Sequence, residues 1–145
     1  MKKNAASLTT DDFISSFSYD KRLALSDIKC SIAHVEMLGR KKIIPRPESA
    51  RIVKTLKVIA DEISIGRKKL PPSEDIHYAI EKEVIGRLGE NIGGKLRTAR
   101  SRNDQVATDI RLYLKSDIQE LNESIRKLRR AILKKSLVNS DAVMP

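Results

Sequence analysis

Apolar residues recur along this chain at steps of three and four, the spacing that lines one face of an α-helix. Leu25, Ile28, Ile32 and Val35 mark a first amphipathic helix over about residues 21–39, with Gly39 as its expected stop. Pro45 and Pro47 push their predecessors out of the α region, so Ile43-Ile44-Pro45-Arg46-Pro47 reads as a linker and Pro47 opens the next helix. Ile52, Leu56, Ile59 and Ile63 give that helix its buried face, and Gly66 ends it ahead of Arg67-Lys68-Lys69 and Pro71-Pro72. Ser73 is the expected N-cap of a third helix, with Glu74 and Asp75 in its first turn and Ile76, Ile80, Val84 and Leu88 on one face before Gly89. Near the start, Thr10-Asp11-Asp12 suits the cap of a short helical turn carrying Phe13, Ile14 and Phe17, and the residues before it read as frayed.

The clearest pattern comes last. Val106, Ile110, Leu114, Ile118, Leu121, Ile125, Leu128 and Ile132 predict one helix from about Gln105 to Val138, which is ~50 Å long at 1.5 Å rise per residue. An apolar seam of that length exceeds what soluble monomers leave in water, so it calls for partner helices. The expected fold class is all-α, with an N-terminal helical domain over residues 1–104, a binding loop at 89–104, and a long helix within 105–145. The apolar approach of Ala142-Val143-Met144 to Pro145 reads as a truncation.

Composition narrows the classes. With aromatics at 3%, no Trp, six Gly and five Pro, the chain lacks the strand and turn residues that sandwiches and barrels need. Cys30 is the only cysteine, which excludes an internal disulfide or a Cys-rich metal site and suits a reducing cytoplasm. No apolar run approaches the ~20 residues of a membrane span, and Met-Lys-Lys-Asn-Ala-Ala has no hydrophobic stretch behind its charges. The net charge of +10 fits a nucleic-acid binder, an anionic ligand or a chain whose acidic remainder is missing, but 19 acids interleaved with 29 bases favour a plain solvated surface.

Candidate chemistry sits in two places. Asp27, Ser31 and His34 share one helix face as a polar stripe. Taken alone, Ser31 fits a solvated or back-bonding serine, and His34 and His77 fit structural, hydrogen-bonded histidines. The stretch from Gly89 to Asp104 is less ordinary: Gly93 and Gly94 permit unusual backbone angles or close approach, while Lys95, Arg97, Arg100 and Arg102 gather positive charge with no acid before Asp104. Thr98-Ala99-Arg100-Ser101-Arg102-Asn103-Asp104 places guanidiniums and a carboxamide where orphan N–H groups begin a long helix, an arrangement suited to carboxylate or phosphate. Arg102 has the fork for two parallel bonds to a carboxylate, and Asn103 both donates and accepts. The plainer alternative is a charged loop with Ser101 or Asn103 as an N-cap.

The segment Thr98 to Leu112, Thr-Ala-Arg-Ser-Arg-Asn-Asp-Gln-Val-Ala-Thr-Asp-Ile-Arg-Leu, resembles the first signature region of argininosuccinate lyases, members of the fumarase/aspartase superfamily. Glu74-Asp75-Ile76-His77, Phe17 to Leu23, Asp27-Ile28 with Ser31, and Asp141 to Pro145 extend the resemblance over roughly residues 11–145. It implies the N-terminal helical domain of that fold plus the first long helix of the central oligomeric bundle of a homotetramer. It also implies a cytoplasmic carbon–nitrogen lyase of arginine biosynthesis and the urea cycle, splitting argininosuccinate into arginine and fumarate by β-elimination with no cofactor and no metal. Substrate-binding roles then fall on Ser31, Asn103, Arg102 and Arg100, with Asp75, His77, Ser101 and Asp104 near the pocket. No catalytic residue is expected among these 145: the family's base is a serine on a Gly-Ser-Ser loop, and a Thr-His signature follows the segment matching Val143-Met144-Pro145, and neither sequence is present. Two departures are the absence of the usual Trp-Gly-Gly-Arg-Phe opening before Thr10 and Cys30 where Gly is common.

Three readings follow: an N-terminal lyase fragment inactive alone, a non-catalytic helical oligomerisation module or degenerate paralogue, and a basic helical nucleic-acid binder. The last lacks a stacking platform, a zinc site or a recognition helix pair. The expected partners are therefore the substrate, its products and further copies of the chain, with no nucleic acid and no membrane.

Overall fold

The computed structural model describes residues 10–143, and within them every regular element is helical. The stretch before Thr10 read as frayed, the side chains of Asp11 and Asp12 read as caps, and Met144-Pro145 of the last motif lie outside the described residues. The chain divides into two compact units, Met1–Ile110 and Arg111–Pro145. Among the described residues no helix is long and apolar enough to cross a membrane.

Two short helices, α1 (Thr10–Ile14) and α2 (Phe17–Asp20), lead through a 3₁₀ turn at Lys21–Leu23 into α3 (Ala24–Arg40). The core of the first unit is built from α3, α4 (Arg46–Ser64) and α5 (Ile76–Leu88). Ile28, Val35 and Leu38 of α3, Ile52, Leu56 and Ile59 of α4, and Ile76, Ile80 and Val84 of α5 have essentially no exposed surface. Each such side chain contributes roughly 1.5–3 kcal/mol of transfer free energy. The face of α3 is rotated from the one expected: Leu25 is exposed, Ile32 is half-buried, and Ala24 and Leu38 take the inner positions.

Gly39 does not end α3. A Cβ there would lie 2.6 Å from Ser49 Oγ and 2.8 Å from Ser49 Cβ, so its role is to let α4 approach closely. Ser49 Oγ then donates to the Val35 carbonyl at 2.9 Å across the interface. The left-handed turn after the helix falls on Lys42 (φ 59), and Ile43 N–H reaches back to the Leu38 carbonyl at 2.9 Å. The remaining breaks match the sequence more closely. Pro47 sits in the first turn of α4, Gly66 (φ 70) follows its end, and Gly89 (φ 79) closes α5.

The N-cap of α5 is Asp75, not Ser73: its Oδ1 accepts Tyr78 N–H at 2.6 Å from an extended backbone. Beyond Gly89 the expected loop carries order of its own, a short helix α6 (Glu90–Gly93) and a 3₁₀ turn (Gly94–Arg97). Gly93 is pressed against α5, where a Cβ would meet Ile85 Cα at 2.6 Å. The left-handed residue of this stretch is Ala99 (φ 54) rather than either glycine. The last helix, α7, runs Arg102–Val138 over 37 residues.

In the second unit the seam residues Leu114, Ile118, Leu121, Ile125, Leu128 and Ile132 are 46–61% exposed. From Arg126 to Lys135 that unit carries only basic charges.

Candidate functional site

The site candidates lie in the first unit, where the turn from Thr98 to Arg102 meets α3 and α5. Arg100 reaches into α3: its Nη1 donates to Ser31 Oγ at 2.7 Å and its Nη2 to Cys30 Sγ at 3.0 Å. Ser31 has no exposed surface, so it is not a solvated serine, and its hydroxyl oxygen is taken up by Arg100. His34, on the same stripe, bonds through Nε2 to the Thr98 carbonyl at 2.9 Å and fixes the start of the turn, the structural role expected for it. A few residues along, Arg102 is held from the other side by Asp75, Nε to Oδ2 at 3.1 Å, and its Nη1 donates to Gln105 Oε1 at 2.8 Å.

The positive cluster is matched by acids that the linear sequence hides. Glu81 of α5 lies 3.7 Å from Arg97 and 3.9 Å from Arg102, Asp75 pairs with Arg102, and Lys95 pairs with Glu48 of α4. Burial pushes the Glu81 carboxyl up in spite of Arg97 and Arg102, and its Oε2 accepts no hydrogen bond among the described residues. Ser101 Oγ accepts Asn103 N–H at 3.2 Å, which makes Ser101 the cap of α7. Asn103 and Asp104 are exposed at the same helix end. Their neighbours Arg100 and Arg102 are anchored by Ser31, Cys30, Asp75 and Gln105, at the end of α7 where the helix dipole favours an anion.

Beneath the turn is a cluster of which the sequence singled out Asp27 and His77 but not Gln105 and Asp109. His77 is buried on α5, with Nδ1 at 3.1 Å from Asp27 Oδ1 of α3 and 3.3 Å from Asp109 Oδ2 of α7. Gln105 Nε2 donates to the same Asp27 oxygen at 2.5 Å. Gln105 and Asp109 are themselves buried, and their four-residue spacing on one face of α7 is the signal that was available. Asp20 is a second omission, buried against the start of α5, where its Oδ2 accepts Ser16 Oγ at 2.5 Å and Ile76 N–H at 3.3 Å.

Burial alone would raise the Asp27 carboxyl, but the hydrogen bond and charge of His77 hold it below the usual range. His77 is raised for the complementary reason: desolvation opposes its charge, and the hydrogen bond to Asp27 with the charges of Asp27, Asp75 and Asp109 outweigh it. Asp109 is pushed up to about 7 by burial and by the Asp27 charge beside it. Ligand atoms of Asp27, His77 and Asp109 all lie within 4.8 Å of one another, a spacing that would admit a cation. Flanked by two carboxylates, however, His77 Nδ1 serves as the donor and has no lone pair to give a metal.

The sequence also matches known proteins. A family model described as lyase matches residues 2–145. The argininosuccinate lyase of Listeria monocytogenes is 43% identical over 136 residues, covering 93% of this chain and 30% of its own length. That of Syntrophus aciditrophicus is 46% identical over 134 residues, 92% of this chain and 28% of its own, and that of Aquifex aeolicus 43% identical over 136 residues, 93% and 30%. The chain thus spans less than a third of the length of these relatives. With a match over nearly every residue and an all-helical build, the chain belongs to this family of lyases.

Proposed function

We propose that residues 1–145 provide the carboxylate-binding part of an argininosuccinate lyase, which splits argininosuccinate into arginine and fumarate. The observation that carries this reading is the pair of anchored guanidiniums, Arg100 on Ser31 and Arg102 on Asp75, just ahead of Asn103 at the N-terminus of α7. In such an elimination a base removes a proton from the carbon next to a carboxylate. The electron pair passes onto that carboxylate, the C–N bond then breaks, and the nitrogen leaves with arginine. Donors aimed at the carboxylate stabilise the charge that develops there. Asn103 is exposed and offers both a donor and an acceptor, Arg102 Nη2 points toward only a distant Glu81 oxygen, and Ser101 and the first N–H groups of α7 complete an anion-favouring end. Ser31 acts through Arg100, and Asp75 and His77 support the turn from below. Asp104 lies at its edge. The base is supplied by sequence other than these residues, so the 145-residue chain alone does not turn over substrate.

A hybrid tests this directly: residues 10–145 replacing the matching segment of the Listeria relative. Release of fumarate, followed by its absorbance, is expected from the folded hybrid and not from the chain alone. A folded hybrid without activity, or turnover by the chain alone, would contradict the reading. A second reading, a non-catalytic oligomerisation module, is favoured by the open seam of α7 and predicts a stable assembly that binds neither argininosuccinate nor fumarate.

A further inference from the structure

Apart from the support His77 gives the turn, the cluster beneath it takes no part in the chemistry above, yet its members lie on the helices that anchor the turn. Asp27 lies one turn before Ser31, and next to Ser31 is Cys30, so α3 carries both partners of Arg100. His77 follows two residues after Asp75, the partner of Arg102. Gln105 joins the two levels, accepting from Arg102 Nη1 and donating to Asp27 Oδ1. Asp109 stands two turns along α7 from Arg102, with no exposed surface. Three of the carboxylate oxygens here, Asp27 Oδ2 and both oxygens of Asp109, are buried and accept no hydrogen bond among the described residues. Two ionised carboxylates facing a single imidazolium would leave a net negative charge and orphaned acceptors among buried side chains, an expensive arrangement. One proton on Asp109 removes the net charge and gives Asp27 Oδ2 a donor, since a carboxylic acid donates where a carboxylate only accepts.

We propose that Asp109 is a positioning residue for the carboxylate-binding turn: as a neutral acid it donates to Asp27 and pins the first turns of α7 against α3 and α5, which keeps Arg100 and Arg102 aimed. This rests on the reading of the turn as a binding site. The groups facing Asp109 are Asp27 and Cys30 from α3, His77 from α5 and Arg100 from the turn, and Asp75, the cap of α5, acts on His77. When Asp109 loses its proton it confronts Asp27 at close range, and the first turns of α7 are pushed from α3. The anchors of both guanidiniums then slacken together. A purely packing role for Asp109 would give no such pH dependence.

The test compares the 145-residue chain with Asp109→Asn, which keeps the size and a donor but has no proton to lose, and with Asp109→Ala, which keeps neither. Three readouts are followed from about pH 6 to about pH 8.5: Tm, the slowly exchanging Nε–H signal of Arg102 in nitrogen–proton spectra, and the Kd for fumarate. In the parent the Arg102 signal should fade and fumarate affinity fall roughly tenfold as Asp109 ionises, while Asp109→Asn should hold both nearly constant. Asp109→Ala should show the slack state at every pH, or fail to fold, in which case Asp109→Asn alone decides. Identical pH profiles for the parent and Asp109→Asn would overturn the proposal. Absence of fumarate binding at every pH, with the Arg102 signal still fading only in the parent, would overturn the binding-site reading and leave the positioning role supported.

Discussion

Arg100 lies directly over Ser31, with its Nη1 donating to a hydroxyl oxygen 2.7 Å away that has no contact with solvent. A serine on the core side of α3 thereby holds in place a guanidinium that the sequence offers only as part of a basic loop. Hydrogen bonds to charged groups contribute about 1.5–3 kcal/mol, so Ser31→Ala should lower unfolding stability by roughly that amount in urea titrations. A solvated serine would give a change within about 0.5 kcal/mol.

The helical layout and most of the core were legible in the sequence because period and breakers act locally. Ile52, Leu56 and Ile59 are buried at the spacing that marks them, and Gly66 and Gly89 take the positive φ that ends a helix. Gly39 misled because a glycine serves a close helix contact as well as it serves a stop, and only the position of Ser49 distinguishes the two. Ser73 misled because Asp75, two residues later, has equal capping chemistry and an added partner in Arg102. Gln105 and Asp109 were passed over since both are polar residues at the start of a long polar-faced helix. Their burial depends on where α3 and α5 stand, which no local pattern encodes.

Close approach at the two buried glycines gives a graded expectation. Gly93→Ala sets a methyl 2.6 Å from the backbone of Ile85, which cannot rotate away, whereas Gly39→Ala meets the Ser49 side chain. Overpacking costs about 1–3 kcal/mol. Gly93→Ala should fall at the upper end or beyond and Gly39→Ala lower, with Ser49→Ala relieving part of the Gly39→Ala loss in a double-mutant cycle. Equal and small losses in Tm for both would argue against these contacts.

Stability should decline from mildly acidic to alkaline pH. The folded chain holds the Asp109 proton up to about 7, while the unfolded chain releases it near 3.8, so between these values the unfolded state binds fewer protons and stability falls as pH rises. His77 acts in the same sense: its pKa is raised above 6.5, so its contribution is complete below that value and disappears as pH climbs through the folded pKa. Asp27 is lowered from 3.8 and acts oppositely, its contribution being lost only as pH drops below that range. Thermal melts by circular dichroism should therefore peak on the acidic side of neutrality. A maximum above about pH 8 would mean that Asp109 is ionised at no cost in the fold.

Along the second unit, the exposed seam from Leu114 to Ile132 should drive self-association of the chain, because a row of half-exposed Leu and Ile residues is stabilised by burial against a like helix. Sedimentation at micromolar concentration is expected to show a species larger than the monomer, and Ile118→Glu is expected to shift it toward monomer while Tm of the first unit stays within a few degrees. A well-folded monomer in the parent would contradict the expectation.

If the start of α7 binds a carboxylate as negative charge develops on it, Asn103→Ala in the active hybrid with the Listeria relative is the decisive variant. Measured together, kcat/KM for argininosuccinate should fall about a hundredfold or more, as for loss of one transition-state donor worth ~3 kcal/mol, while stability changes by no more than about 1 kcal/mol, since the capping bond belongs to Ser101. Unchanged kcat/KM with a lowered Tm would make Asn103 a structural residue of the helix end and contradict the account.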